Sequence, residues 1–153
     1  MENAELEHDY FMGKALAEAL LAEAEGEVPI GAVATSGGVV IAGEHNRTIQ
    51  RNDPTAHAEI ILLREVSRLK NNYRLPGITV YVTVEPCPMC AGALVNARIA
   101  GLVFGTPDEK GGGVVSRFRI LDPGRLNHNI PFSYGPRASD CADLMKRFFQ
   151  SRR

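Results

Sequence analysis

The chain has only three cysteines, no long apolar run and no excess of one charge, and each shortage excludes a class of protein. An odd, small cysteine set suits a reducing compartment better than a disulfide framework. No apolar run approaches the roughly 18 residues that span a bilayer. Met1-Glu2-Asn3-Ala4-Glu5-Leu6-Glu7 is acidic where a secretory leader would be basic. The reading is a soluble, cytoplasmic protein with no membrane segment. With 17 Lys and Arg against 18 Asp and Glu, a net charge of −1, the whole chain gives no electrostatic argument for a polyanionic partner. Hydrophobic content of 44% with 23% charged residues excludes disorder and collagen-like repeats. At 153 residues the chain fits one domain, residues 1–153, large enough to bury a core without staples.

What is present concentrates in two segments, Asp53-Pro54-Thr55-Ala56-His57-Ala58-Glu59 and Glu85-Pro86-Cys87-Pro88-Met89-Cys90. The imidazole of His57 and the thiols of Cys87 and Cys90 suit one zinc ion per chain and leave the fourth tetrahedral position for water. A structural site would close with a fourth protein ligand. An open position lets the metal lower the pKa of its water from about 15.7 toward roughly 7. Glu59, two residues past the imidazole, is near the metal without being needed as a ligand, so it can take a proton from that water and return it to a leaving nitrogen. Two plainer readings compete: a lone C-x-x-C is as readily a redox pair, and His45 or His128 could supply a fourth ligand that closes the site. Cys141 reads as a small buried hydrophobe.

The elements follow from periodicity and punctuation. Leu6 to Ala24 reads as a helix with Tyr10, Phe11, Ala15, Leu16, Ala19 and Leu20 at intervals of three and four. Ile30 to Thr35 and Val39 to Gly43 read as a hairpin around Ser36-Gly37-Gly38, with Gly31 at a close backbone approach. Glu44-His45-Asn46-Arg47 then leaves the sheet, and Asn46 could reach the pocket. Asp53-Pro54-Thr55 predicts a helix start with Asp53 as the cap, placing His57 and Glu59 in the first turn of a helix that runs to about Lys70. Ile78 to Val84 is a strand apolar enough to be buried on both faces. Met89 to Ala97 predicts a helix carrying Cys90 in its first turn, and Leu102-Val103-Phe104 another strand. Strand, ligand helix, strand, ligand helix, strand is a right-handed α/β wind with the site at one edge of the sheet. Gly105 to Gly113 is a glycine-rich loop, a plain surface loop or a wall over the pocket. Ser116 to Leu121 reads equally as a short helix or a strand. Phe132 to Tyr134 is a short edge strand, and Ala138 to Arg153 a final helix with Ser139 as a possible cap.

Charge is unevenly distributed. Residues 1–109 hold 8 Lys and Arg against 15 Asp and Glu, a net −7, and residues 110–153 hold 9 against 3, a net +6. A basic last third either meets a polyanion or opposes a helix dipole. Phe148 and Phe149 beside Arg147, Arg152 and Arg153 could stack bases and hold phosphates; core packing is the competing role for at least one ring.

The combination H-x-E…P-C-x-x-C is the signature of zinc nucleobase deaminases. The chain closely resembles the bacterial tRNA adenosine deaminases nearly end to end. The likeness covers Glu27-Val28-Pro29-Ile30-Gly31-Ala32-Val33, Asn46-Arg47, Asp53 through Glu59, Tyr81-Val82-Thr83, Glu85-Pro86-Cys87 with Met89-Cys90-Ala91-Gly92-Ala93, Val103-Phe104-Gly105, Asn127-His128, and Cys141 with Phe148-Phe149. Asp-Pro-Thr before the His and the closing Phe-Phe with its basic end are the more specific phrases. The resemblance implies a three-layer α/β/α cytidine deaminase-like fold with a mixed five-stranded sheet. It also implies a homodimer, and a tRNA anticodon stem-loop whose wobble adenosine is hydrolysed to inosine with loss of ammonia. It assigns zinc to His57, Cys87 and Cys90, the proton shuttle to Glu59, and purine hydrogen bonds to Asn46 and the backbone of Ala58. Asn127 is placed beside the flanking nucleotides and Asp108 near the RNA backbone; Phe149 and Arg152 are substrate contacts on the stacking and charge reading given above. Val115 departs from the glycine usual before Ser116, and residues 129–136 read less like the family. A deaminase of free purine, such as guanine, is the alternative enzyme, and a non-catalytic zinc or redox module the alternative of another class.

Overall fold

The structure, a computed structural model, describes residues 2–152; Met1 and Arg153, the residue expected to end the last helix, lie outside them. Helix α1 runs Glu2–Ala24, strand β1 Gly31–Ser36 and strand β2 Val39–His45. Next come α2 Thr48–Arg51, α3 Ala58–Lys70, β3 Ile78–Val84, α4 Pro88–Asn96, β4 Gly101–Thr106, β5 Phe132–Tyr134 and α5 Ala138–Gln150. The five strands form one mixed sheet in the order β2-β1-β3-β4-β5. Strand β1 is antiparallel to β2 and β3, whereas β3, β4 and β5 run parallel.

Alternation along the strands builds the layers. Ala32, Ala34, Val80, Val82, Leu102 and Phe104 face one side and pack with Leu62 and Val66 of α3 and Leu94 of α4. Val33, Tyr81 and Val103 between them face the other side and pack with Phe11, Met12 and Ala15 of α1 and Cys141 of α5. The sheet is therefore covered on both faces, the α/β/α sandwich expected. Gly31 is where α1 crosses the sheet: a Cβ there would overlap the Ala15 carbonyl oxygen and the Ala19 amide. None of the helices is long and apolar enough to cross a membrane among the described residues.

Several boundaries differ from those read in the sequence. Helix α1 begins at Glu2, and of its expected apolar face Tyr10 and Leu20 are exposed while Met12 is buried. The hairpin turn is only Gly37-Gly38, both with positive φ, and β2 continues to His45, so the chain leaves the sheet later than expected. Asp53 caps no long helix. Its Oδ1 accepts the backbone N–H and the hydroxyl of Thr55, closing a local turn after the unanticipated α2, and α3 starts only at Ala58 with His57 as its N-cap residue. Residues 116–121 are neither helix nor strand, because the N–H groups of Arg117, Phe118 and Ile120 bond to the Gly112 and Gly113 carbonyls. Arg137 in the left-handed region, not Ser139, caps α5.

Candidate active site

The Cys87 segment leaves the end of β3, the middle strand of the sheet, and the His57 segment, which follows the edge strand β2 and α2, reaches it there. His57 is the N-cap residue of α3 and Cys87 that of α4, both extended, with Pro88 in the first helical position and Cys90 two residues on. Two helix starts thus converge, each contributing its positive dipole end to a place where thiolates gather. The Nδ1 atom of His57 lies 3.6 Å from Cys87 Sγ and 3.5 Å from Cys90 Sγ. Bonds of about 2.05 Å to nitrogen and 2.3 Å to sulfur, at a tetrahedral angle, hold those atoms about 3.5 Å apart, so the donor set fits one zinc. Among the described residues this is the only group of three or more His, Cys, Asp and Glu close enough to share an ion. The Cys87 thiol is pulled down to about 4 by its hydrogen bond from Cys90, against burial and with help from His57. That hydrogen bond and burial push Cys90 up, as does the neighbouring Glu59 charge. Holding both sulfurs as thiolates side by side therefore calls for a cation.

Glu59 sits in the first turn of α3, buried, beside Cys87 and Cys90. Burial, chiefly, and the Cys87 charge push it up to about 7, against the pull of its own backbone N–H and of His57. A carboxyl that ionises near neutrality can both accept and return a proton.

The two histidines that might have closed the site are engaged elsewhere. His45, buried, has Nε2 at 2.7 Å from Glu25 and Nδ1 at 3.6 Å from Glu18, both on or just after α1. His128 Nε2 pairs with the Ile99 carbonyl at 2.8 Å. The three cysteines are free thiols.

The remaining expected residues divide into three places. Asn46 is buried directly after β2; its N–H donates to the Ile30 carbonyl (3.1 Å), and the next N–H, of Arg47, donates to the Ala56 carbonyl (3.0 Å), which ties Asn46 to the His57 segment. Ala58 is wholly buried at the α3 start. Asp108, Phe149 and Arg152 line a groove of about 1200 Å³ between the glycine loop and α5, with Val84 at the end of β3 also lining it; His57, Cys87 and Cys90 do not line it. Asn127 is not in this groove. It is exposed and borders a separate cavity of about 300 Å³ with Gly92, Val95 and Asn96 of α4.

Part of the basic last third binds other parts of the chain at the surface. Arg137 pairs with Asp9 and Arg147 with Glu23, both on α1, while Arg152 donates to the Gly26 carbonyl and stacks on the Phe148 ring. Phe148 is buried and Phe149 49% exposed, so the two rings divide between core and surface.

Two buried glutamates escaped the sequence reading. Glu27 accepts the N–H groups of Ile49 (3.1 Å) and Gln50 (2.8 Å), fixing α2. Glu85 gathers the glycine loop: burial alone would raise its pKa, but hydrogen bonds from Ser116, Val115 and Asp108 outweigh that and lower it. The available signal was an acidic residue closing an otherwise apolar strand, with glycine-rich backbone nearby in need of acceptors.

The chain matches the MafB19-like deaminase family over residues 6–153. A tRNA-specific adenosine deaminase of Haemophilus influenzae is 48% identical over 133 residues, 86% of this chain and 77% of its own length. A solved structure from a study of A-to-I editing by tRNA:A34 deaminases at the wobble position of transfer RNA is 44% identical, with a TM-score of 0.85 over 88% of this chain and 98% of that one. The guanine deaminase of Bacillus subtilis is more distant, 28% identical with a TM-score of 0.64 over 95% of this chain and 92% of that one. The chain belongs to the MafB19-like deaminases and, among them, to the tRNA-specific adenosine deaminases.

Proposed function

We propose that the chain, acting as one domain, hydrolyses the wobble adenosine of a tRNA anticodon loop to inosine and releases ammonia, with one zinc held by His57, Cys87 and Cys90. The observation that carries this reading is a buried carboxyl, Glu59, beside His57, Cys87 and Cys90, a set that no fourth His, Cys, Asp or Glu joins among the described residues. When bound, the ion supplies a water acidic enough to act as a nucleophile near neutral pH. Glu59 takes the proton that this water gives up, delivers it to the ring nitrogen N1, and carries the next proton to the exocyclic amine. A C6–O bond forms, the C6–N bond breaks, and the amine departs as ammonia. Asn46 and the Ala58 N–H orient the purine, which must leave its stack to reach so buried a group. Asp108, Phe149 and Arg152 receive the neighbouring RNA along the groove, and Asn127 meets a flanking nucleotide from the smaller cavity. The protein works as a homodimer in the cytoplasm.

Incubation of pure protein with an anticodon stem-loop carrying a wobble adenosine should yield inosine. A guanine deaminase would instead turn over free guanine without salt dependence and leave the stem-loop unchanged. Lys110, Lys146 and Arg152 beside the apolar residues of the groove support the polynucleotide, since a free base offers no backbone for them to hold.

A further inference from the structure

Glu85 is a buried carboxylate that takes no part in the reaction. Glu85, 3% exposed, stands between β3 and Cys87 and accepts five hydrogen bonds. Its Oε2 accepts the backbone N–H groups of Val114 (2.9 Å), Val115 (2.8 Å) and Ser116 (3.1 Å). Its Oε1 accepts the Asp108 N–H (3.0 Å) and the Ser116 hydroxyl. These donors stand on both sides of Gly111-Gly112-Gly113, and between them the Gly113 N–H bonds to the Pro86 carbonyl at 2.8 Å. A Cβ on Gly112 would overlap the carboxylate itself. The outer part of this loop, Asp108 to Gly111, is one wall of the groove.

We infer that Glu85 is a positioning residue for the RNA substrate, its carboxylate fixing the groove wall at Asp108 relative to the Cys87 segment. This rests on the tRNA deaminase reading for its substrate, though not for its geometry. One carboxylate meets five donors without conflict because both its oxygens only accept. A carboxamide cannot. Glu85→Gln retains the bonds to residues 114–116 if its oxygen takes the Oε2 place, the Ser116 hydroxyl then turning to accept. Its NH₂ group is left facing the Asp108 N–H, donor against donor. The wall is released at one end only.

The test uses the zinc-loaded protein and two variants, Glu85→Gln and Gly112→Ala, the second displacing the carboxylate without changing its chemistry. In Glu85→Gln the Asp108 amide should exchange hydrogen about tenfold faster, with the Val114 and Val115 amides unchanged; general destabilisation would speed all three together. With the anticodon stem-loop, KM should rise about tenfold in both variants while kcat stays within about twofold and zinc content stays at wild-type level. Wild-type exchange at Asp108 in Glu85→Gln, or an unchanged KM in both variants, overturns the inference. If the wild-type protein makes no inosine, the deaminase reading falls separately, and the exchange rates alone decide the role of Glu85.

Discussion

Glu59 and Glu85 are both buried carboxyls, and what surrounds them sends them in opposite directions. Burial opposes charge at each. At Glu59 it prevails and the group ionises near neutrality, whereas the donors around Glu85 keep that group ionised. A proton carrier needs the first environment, and an anchor for loop amides needs the second. Glu59→Ala should therefore keep its zinc and lose about 10²-fold to 10⁴-fold in deamination, read from metal stoichiometry beside inosine yield. Cys87→Ala should fail earlier, at metal retention, since it removes one of the three side chains placed to share an ion. Zinc content after dialysis against a mild chelator measures this, and full retention would exclude Cys87 as a ligand.

The elements are held by two kinds of contact with different sensitivities. Helix α1 meets the sheet through backbone approach at Gly31, where no side chain fits. Gly31→Ala should cost about 1–3 kcal/mol from overpacking. For a chain of this size that lowers Tm by about 2–4 °C per kcal/mol in a thermal melt. Helix α5 meets α1 through ion pairs, Arg137 with Asp9 and Arg147 with Glu23. Hydrogen bonds from these arginines hold both carboxyls below their ordinary values of 3.8 and 4.5. A lowered folded value means that the stabilisation is complete above the ordinary value and is lost as pH falls through the lowered one. Between pH 6 and pH 3 the Tm of the wild type should thus fall further than that of an Arg137→Ala/Arg147→Ala double variant; equal falls would show the pairs to be inert.

At the scale of the whole molecule, two of the nine cations behind the charge asymmetry that suggested an RNA-facing tail, Arg137 and Arg147, are paired with acids of α1. The cations lining the groove are Lys110, Lys146 and Arg152. If these meet the phosphates, the slope of log affinity against log salt should be about −2, at roughly −0.7 per contact on single strands. All nine basic residues of the last third, in contact together, would give about −6 by the same rule. Binding of the anticodon stem-loop across a salt series distinguishes the two.

The gathering of His57, Cys87 and Cys90, the carboxyl of Glu59 beside them and most of the sheet were legible because their signals are short-range. A Cys three residues from another shares one helix turn with it, and β-branched apolar runs such as Ile78 to Val84 state their own burial. The exact start of α3 was not legible, because Asp53 had two local partners to choose from and the Thr55 turn won. What only the tertiary structure decided lies in contacts across long stretches of chain. These contacts engaged His45 with the acids of α1, set Asn127 apart from Asp108, paired the basic helix with the acidic one, and drew the loop amides onto Glu85 from residues 23 to 31 positions away. Hydrogen bonds and ion pairs at such separations have no period to read. They are chosen by which donors and acceptors burial leaves without water, and that is known only once the layers have closed.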